Sequence, residues 1–296
     1  MDSPFHIFPK HKVLYNELMR NHTTFKIGGP CDVLFLPDTI EDIIQCISIC
    51  KEQSIPYYIL GNGSNILVKD KGFRGVIIKI ANLKNITKKG DSFFVEAGVH
   101  VPDLALYFLE EGYTGFEFAS GIPASLGGAV CMNAGAYGPE MQDVIVSVDI
   151  IKDGKVLTLS KEEMKFGYRQ SAVKGTDMII IGATISLTQG NKGDIKEKID
   201  YLKNQRETKQ PLEMPSAGST FKRPKGDFAG RLIQSSGLMG TRVGGAIVSE
   251  KHAGFIINDG GATAKDVCDL IVKIKAKVQA EFGVLLEEEL ICIGEE

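Results

Sequence analysis

Apolar residues recur along this chain at two spacings, and the switches between them predict its elements. Ile40, Ile43, Ile44 and Ile47 share one face at helical spacing, behind a Thr39/Asp42 capping box. Val101 to Glu111 reads as a second helix, with Pro102 in its first turn and Gly112 as its stop. A short helix is predicted after Ser160 and Glu163, which repeat the capping-box spacing. Asp194 to about Glu207 is a charged helix with Ile195, Ile199 and Leu202 on one side. Phe228 to Ser235 forms another, closed by Gly237. The last and longest is capped by Thr263 and Asp266 and stopped by Gly283. Its buried stripe is predicted to be Val267, Leu270, Ile271, Ile274, Val278 and Phe282.

Strand patterns fill the gaps. They cover Cys31 to Leu36, Tyr57 to Leu60, Ile66 to Val68, Val76 to Ile80, Phe93 to Ala97 and Met178 to Leu187, then Ile247–Val248, Phe255 to Ile257 and Val284 to Ile293. Val144, Val146, Val148 and Ile150 alternate with less apolar neighbours. Lys152-Asp153-Gly154-Lys155 then turns that strand back into Val156 to Leu159 as a hairpin. The first twenty residues read as an extended arm or short helix. Hairpins mixed into the helix–strand alternation argue for an α+β fold rather than a doubly wound parallel sheet. The polar break Gln189 to Gly193 is a candidate boundary.

Two glycine-rich segments interrupt this pattern. Ala119 to Gly138 holds Gly121, Gly127, Gly128, Gly135 and Gly138 around Pro123, without a single Lys or Arg. Glycines let the backbone approach a ligand, and clustered amides can cradle phosphate oxygens, so an anion here would be held mainly by the backbone. The alternative is a plain crossover between packed elements. Gly61-Asn62-Gly63-Ser64-Asn65, between two strands, is either a hairpin turn or a second amide-rich phosphate loop. Neither segment matches G-x-G-x-x-G or G-x-x-x-x-G-K-[ST], which disfavours Rossmann and P-loop nucleotide sites.

Composition narrows the partners. The net charge of −3 provides no field of one sign, so neither nucleic acid nor an anionic membrane is expected. A length of 296 residues suggests two or three packed units. Cys31, Cys46, Cys50, Cys131, Cys268 and Cys292 form no CxxC pair and sit mostly in apolar runs. Buried reduced thiols are expected, with no metal site, although Cys46 and Cys50 could face each other across a helical turn. The N-terminus has no long apolar core, and no stretch reaches the roughly 18 apolar residues of a spanning helix. A cytoplasmic protein is the expectation.

Eight motifs, in order across nearly the whole chain, carry a resemblance. They are Asn21 to Gly29 (NHTTFKIGG), Gly61 to Asn65, Gly121-Ile122-Pro123 with Gly127-Gly128-Ala129, and Asn133-Ala134-Gly135-Ala136-Tyr137-Gly138. Then come Tyr168-Arg169-Gln170-Ser171, Ala217-Gly218-Ser219, Val248 to Ala253 (VSEKHA), and Glu287-Glu288-Glu289-Leu290. The chain resembles the UDP-N-acetylenolpyruvoylglucosamine reductases, flavin enzymes of bacterial peptidoglycan synthesis. The short interval from Arg169 to Ser219 is similar to the shorter form of that family, which lacks an inserted tyrosine loop. Ala124-Ser125 stands where many members have Gly-Thr, and Arg223 where others can carry Asn.

The resemblance implies a fold like that of the vanillyl-alcohol-oxidase (PCMH-type) flavoproteins. Two FAD-binding subdomains, 1–85 and 86–204, are implied, with the PCMH-type region at about 27–192. An α+β substrate-binding domain would follow at 205–296. It implies FAD and NADPH as cofactors, a UDP-sugar substrate and a monomer. FAD would be held by Gly61, Asn62, Gly63, Ser64, Asn65, Gly121, Ile122, Pro123, Gly127, Gly128, Ala129, Asn133, Ala134, Gly135 and Ala136. The implied reaction passes a hydride from NADPH, by way of FAD, to the vinyl carbon of an enolpyruvyl ether, and the adjacent carbon is then protonated.

Arg169 would stabilise charge on the substrate carboxylate, Ser219 would donate the proton, and Glu289 would act with Arg169 or as an acid. Lys209 and Tyr168 would bind substrate. A guanidinium suits a carboxylate, which it grips bidentately. A hydroxyl is a weak acid that can still protonate a strongly basic carbanion. From residue type alone, Arg169 could be structural, Ser219 a turn residue, Glu289 a solvated acid and Lys209 a surface lysine. The three consecutive acids leave Glu288 and Glu289 unresolved, and Arg231, Lys251 and His252 stand as unranked cations for the diphosphate. A flavin oxidase of the same fold and a non-enzymatic nucleotide-binding protein remain the other readings.

Overall fold

In this computed structural model, which describes residues 4–295, turns of 3-10 helix at Pro4–Ile7 and Lys10–Lys12 lead into β1, Val13–Leu18. β2 (Pro30–Phe35) precedes α1 (Ile40–Glu52), and β3 (Tyr57–Leu60), β4 (Ile66–Val68), β5 (Phe73–Lys79), β6 (Ile86–Lys89) and β7 (Ser92–Glu96) follow. Next come α2 (Val101–Glu111), β8 (Tyr113–Thr114), α3 (Leu126–Cys131), β9 (Ile145–Lys152), β10 (Lys155–Ser160), β11 (Ile179–Ser186) and β12 (Thr188–Gln189). The last third holds α4 (Lys192–Lys209), β13 (Ser216–Ser219), α5 (Ala229–Ser235), β14 (Arg242–Val243), β15 (Ala246–Val248), β16 (Phe255–Asn258), α6 (Ala264–Phe282) and β17 (Ile291–Ile293).

The chain divides into two compact units. The first takes the residues through Leu14, Val33–Asn62 and Val76–Gln205; the second takes Tyr15–Asp32, Gly63–Gly75 and the residues from Arg206 onward. β1, β2, β5 and β3 form a sheet in that order.

In the first unit, β10-β9-β11-β7-β6 form an antiparallel sheet. The Asp153-Gly154 turn sets its first register, with Lys155 opposite Lys152. Both turn residues have positive φ, 49° and 73°, as a two-residue hairpin of matching twist requires. Thr39 caps α1 as predicted, accepting from the Asp42 amide, while Gly112 closes α2 in the left-handed region. Phe93 lies at the centre of the core, its ring edge-on to Phe108 at 5.0 Å and to Tyr113 at 4.8 Å. Each large side chain removed from water in this way contributes roughly 1.5–3 kcal/mol.

The second unit has an antiparallel sheet of order β13-β16-β15-β14 and a parallel pair, β17 with β4, in which Ile291 faces Ile66. α6 buries Val267, Leu270, Ile271, Ile274 and Val278 as the sequence predicts, whereas Phe282 is 38% exposed. Phe25, Ile27 and Leu67 belong to the same core. The Asp70 carboxylate accepts from the first two amides of α6, Ala264 at 2.8 Å and Lys265 at 3.0 Å.

Several expectations change. Gly61 to Asn65 is not a hairpin turn, because β3 pairs with β5 while β4 pairs with β17. Ser160 and Glu163 make both capping-box bonds, yet the segment stays a turn; Lys165 adopts φ 45° and ends any helix there. The final strand shrinks to Ile291–Ile293. α3 and β13 were hidden by glycine and serine, which have weak preference for either element. Of the cysteines, Cys31, Cys46 and Cys50 are buried, but Cys131 and Cys268 are only partly so and Cys292 is exposed. Cys46 and Cys50 do face each other, and their hydrogen bond and burial raise the Cys46 thiol pKa.

Candidate active site

The first unit brings Gly61 and Asn62 against Pro123 and Ser125. The Asn62 carboxamide donates to the Pro123 carbonyl at 2.7 Å. A Cβ on Gly61 would stand 2.1 Å from the Ser125 hydroxyl. Gly61, Asn62, Ala81, Gly98, His100 and Ser125 line an open depression of about 220 Å³. Ser125 caps α3, accepting weakly from the Gly128 amide at 3.4 Å, and Ala124 needs no left-handed backbone. The Ala-Ser pair therefore fits this turn without strain.

The amides of the two glycine-rich segments differ. Those of Ile122, Gly127, Ala129, Asn133, Ala134 and Ala136 are spent on carbonyls of Ala119, Ala97, Ser125, Val130, Ala129 and Pro139. These residues shape the loop. Among the described residues, no amide from Gly61 to Asn65 donates to a carbonyl of the chain. That loop is thus the richer source of donors for an anion. The bare backbone, the undonated amides and the missing lysines and arginines fit the diphosphate of a dinucleotide cofactor, so Gly61 and Asn62 beside Pro123 and Ser125 would hold it.

Arg169 stands on a tight turn in the same unit. Gly167 and Gln170 exchange backbone hydrogen bonds, 3.1 Å in each direction, around Tyr168 and Arg169. Arg169 has φ 54°, a conformation that costs a residue with a Cβ about 1–2 kcal/mol. Its guanidinium carbon lies 5.0 Å from the centre of the half-exposed Tyr168 ring. The Lys174 ammonium donates to the Arg169 carbonyl at 2.9 Å, and the Ser171 hydroxyl to the Cys131 carbonyl at 2.7 Å. Asn133, fully buried, donates to the Gly167 carbonyl at 3.1 Å and to Glu140 at 2.8 Å. Glu140, Ser171 and Lys174 carry no sequence signal of this role; they are seen only once the turn folds.

The second unit joins Glu289 to Thr220, the residue after Ser219, by one backbone contact. The amides of Glu289 and Leu290 both donate to the Thr220 carbonyl, at 2.9 and 3.4 Å. The Asn65 carboxamide donates to the Glu289 carbonyl at 3.1 Å. Gly218 has φ 75° within a register shift of β13, and Ser219 is exposed at its end. Gly63 of the same unit also has positive φ, and a Cβ there would meet the His22 carbonyl at 2.4 Å. Glu287 pairs with Lys222 at 3.0 Å and Glu288 with Lys275 at 2.8 Å, and the backbone of Glu289 is engaged on both its amide and its carbonyl.

Other candidates take places of their own. Lys209 is exposed at the end of α4. Arg223 lies over the Phe228 ring at 4.6 Å, and Arg231 pairs with Asp227. Lys251 reaches Glu213 at 3.4 Å, and burial lowers the His252 pKa, favouring the neutral ring. Among the described residues, no cluster of three or more His, Cys, Asp or Glu could hold a metal ion. No described helix is long and apolar enough to cross a membrane.

The family model for an FAD binding domain matches residues 31–160. The model for the C-terminal domain of UDP-N-acetylenolpyruvoylglucosamine reductase matches residues 210–293. A reductase of that name from Clostridium botulinum (strain Eklund 17B / Type B) is 51% identical over 95% of this chain and 93% of its own. Another, from Caldanaerobacter subterraneus subsp. tengcongensis, is 49% identical over 98% and 96%. The crystal structure of the Thermus caldophilus reductase superposes with a TM-score of 0.82 at 36% identity, covering 93% of this chain and 97% of that one. The chain therefore belongs to the UDP-N-acetylenolpyruvoylglucosamine reductase family, FAD-dependent oxidoreductases of α+β fold.

Proposed function

We propose that this chain uses NADPH to reduce the enol ether of UDP-N-acetyl-3-O-(1-carboxyvinyl)glucosamine, giving UDP-N-acetylmuramate. The observation that carries the reading is 51% identity, over 95% of the chain, with a protein named for that reductase activity. Bound FAD would supply the relay of an electron pair from NADPH to the vinyl carbon. The chain's own residues do the rest. Gly61 to Asn65, with Gly121, Ile122, Pro123, Gly127, Gly128, Ala129, Ala134, Gly135 and Ala136, hold the cofactor. Arg169 receives the charge that grows on the substrate carboxylate, where a fixed guanidinium stabilises the transition state more than the ground state. A costly backbone conformation at Arg169 supports a role that needs this side chain at this spot.

Ser219 is assigned as the proton donor to the carbon next to the carboxylate, and its exposed position at a bulged strand end supports that. Glu289 is assigned as the accompanying acid, and its backbone link to Thr220, the neighbour of Ser219, supports that. Tyr168 and Lys209 are assigned to substrate binding. We retain 1–85 and 86–204 as the FAD-binding subdomains and 205–296 as the substrate-binding domain, in a cytoplasmic monomer with no nucleic-acid partner.

The test is NADPH oxidation by the purified flavoprotein, with and without the enolpyruvyl sugar nucleotide. Consumption that depends on the sugar nucleotide, with a saturated lactyl product, is the expected result. Consumption independent of it, with peroxide formed, would replace the reading with an oxidase.

A further inference from the structure

Asn133 sits in the segment assigned to the cofactor, yet its side chain is wholly engaged within the protein. Relative exposure is 0%, and φ is 42°. Nδ2 donates to the Gly167 carbonyl at 3.1 Å and to Glu140 Oε2 at 2.8 Å. Oδ1 accepts from the Gln142 amide at 2.9 Å. A carboxamide has two N–H donors, and both are used. Its orientation is dictated, since a carboxylate oxygen accepts and a backbone amide only donates. Glu140 is itself steadied by the Gln142 carboxamide, which donates to the same Oε2 at 2.9 Å.

Gly167 is the first residue of the closed turn that presents Arg169. We propose that Asn133 is a positioning residue for Arg169: its buried carboxamide, aligned by Glu140 and the Gln142 amide, anchors the Gly167 carbonyl and so fixes the turn. This rests on the assignment of Arg169 to the substrate carboxylate. It gives Asn133 a task other than touching the cofactor. Holding a charged group to within a fraction of an ångström matters, because misplacement by about 1 Å can cost about a hundredfold in rate.

The test compares Asn133→Gly, which accepts positive φ but loses the carboxamide, with Asn133→Asp, which keeps an acceptor and loses both donors. Bound FAD, hydrogen–deuterium exchange over residues 166–171, and the two half-reactions are measured. Both variants should keep their FAD and their reduction by NADPH, and exchange over the turn should rise. Reoxidation by the sugar nucleotide should fall about tenfold to a hundredfold, the range seen when a supporting hydrogen bond to a working group is removed. In an Arg169→Ala background, Asn133→Gly should add little further loss. Glu140→Gln, which retains an acceptor, should protect the turn better than Glu140→Ala, and this pair carries the comparison if Asn133→Gly does not fold. Loss of FAD from the Asn133 variants, unchanged exchange, or full additivity with Arg169→Ala would overturn the proposal. Arg169→Ala alone leaving reoxidation intact would instead remove the Arg169 assignment, while the exchange data would still report on the turn.

Discussion

The Thr220 carbonyl accepts the Glu289 amide at 2.9 Å, which sets Glu289 beside the residue that follows Ser219. The segments that carry Ser219 and Glu289 are thereby joined by one backbone contact. Ser219→Ala is expected to leave flavin reduction by NADPH nearly intact and to slow reoxidation by the sugar nucleotide about 10²–10⁴-fold, the usual worth of a general acid. Stopped-flow measurement of both half-reactions checks this. Equal losses in the two would take Ser219 out of the donor role.

Gly63 makes a second prediction. Its φ of 67° and the 2.4 Å approach of a Cβ to the His22 carbonyl leave no room for alanine without backbone movement. Gly63→Ala should destabilise the protein by about 1–3 kcal/mol and lower its flavin content. Thermal unfolding and the absorbance ratio of flavin to protein measure both. A variant as yellow and as stable as the parent would show that the loop can relax.

Acid stability should depend on Glu117, whose side chain is 2% exposed. Burial pushes its pKa up. Hydrogen bonds from the Thr114 hydroxyl, the Glu117 and Gly115 amides and the Lys198 ammonium outweigh burial and hold it below the ordinary 4.5. A carboxyl whose folded pKa is depressed stabilises the protein above its unfolded pKa, and that contribution disappears as pH falls through the folded value. Glu117→Gln should therefore cost about 1–3 kcal/mol at pH 7. It should also flatten the loss of stability between neutral pH and the region below about 4. Urea unfolding across that range is the measurement, and parallel curves for parent and variant would refute it.

Asp70 gives a purely structural control. Its carboxylate serves two amides at the start of α6, so Asp70→Ala should lower unfolding free energy by about 1 kcal/mol, as loss of a helix cap does. Both half-reactions should be unaffected.

Local chemistry was readable in the sequence, and distant pairing was not. Thr39 with Asp42, Thr263 with Asp266, and Asp153-Gly154 each act within four residues, so their spacing states their geometry. Pairing of Ile291 with Ile66, or of Glu289 with Thr220, leaves no mark on either partner. The acidic run looked like part of a long strand because alternation cannot reveal that Lys222 and Lys275 draw Glu287 and Glu288 to separate positions. Motif order pointed to the family and so to the roles proposed for Arg169 and Ser219. The half-buried Glu140 and Lys174, which steady the surroundings of the Arg169 turn, stayed invisible, since Glu and Lys suit a solvated loop equally well.

The division of the second unit into three stretches of chain sets an order of events during synthesis. Phe25, Ile27 and Leu67 emerge early, but the side chains they pack with in that core come from residues 217–290. Strand β4 likewise waits for Ile291–Ile293, far later in the chain. The first unit has all its segments once Gln205 has emerged. The second must hold apolar surface unburied until its later segment emerges, the circumstance in which nascent chains aggregate or engage chaperones. A nascent chain stalled after Gln205 should accordingly resist protease across 76–205 while 15–32 is still cut.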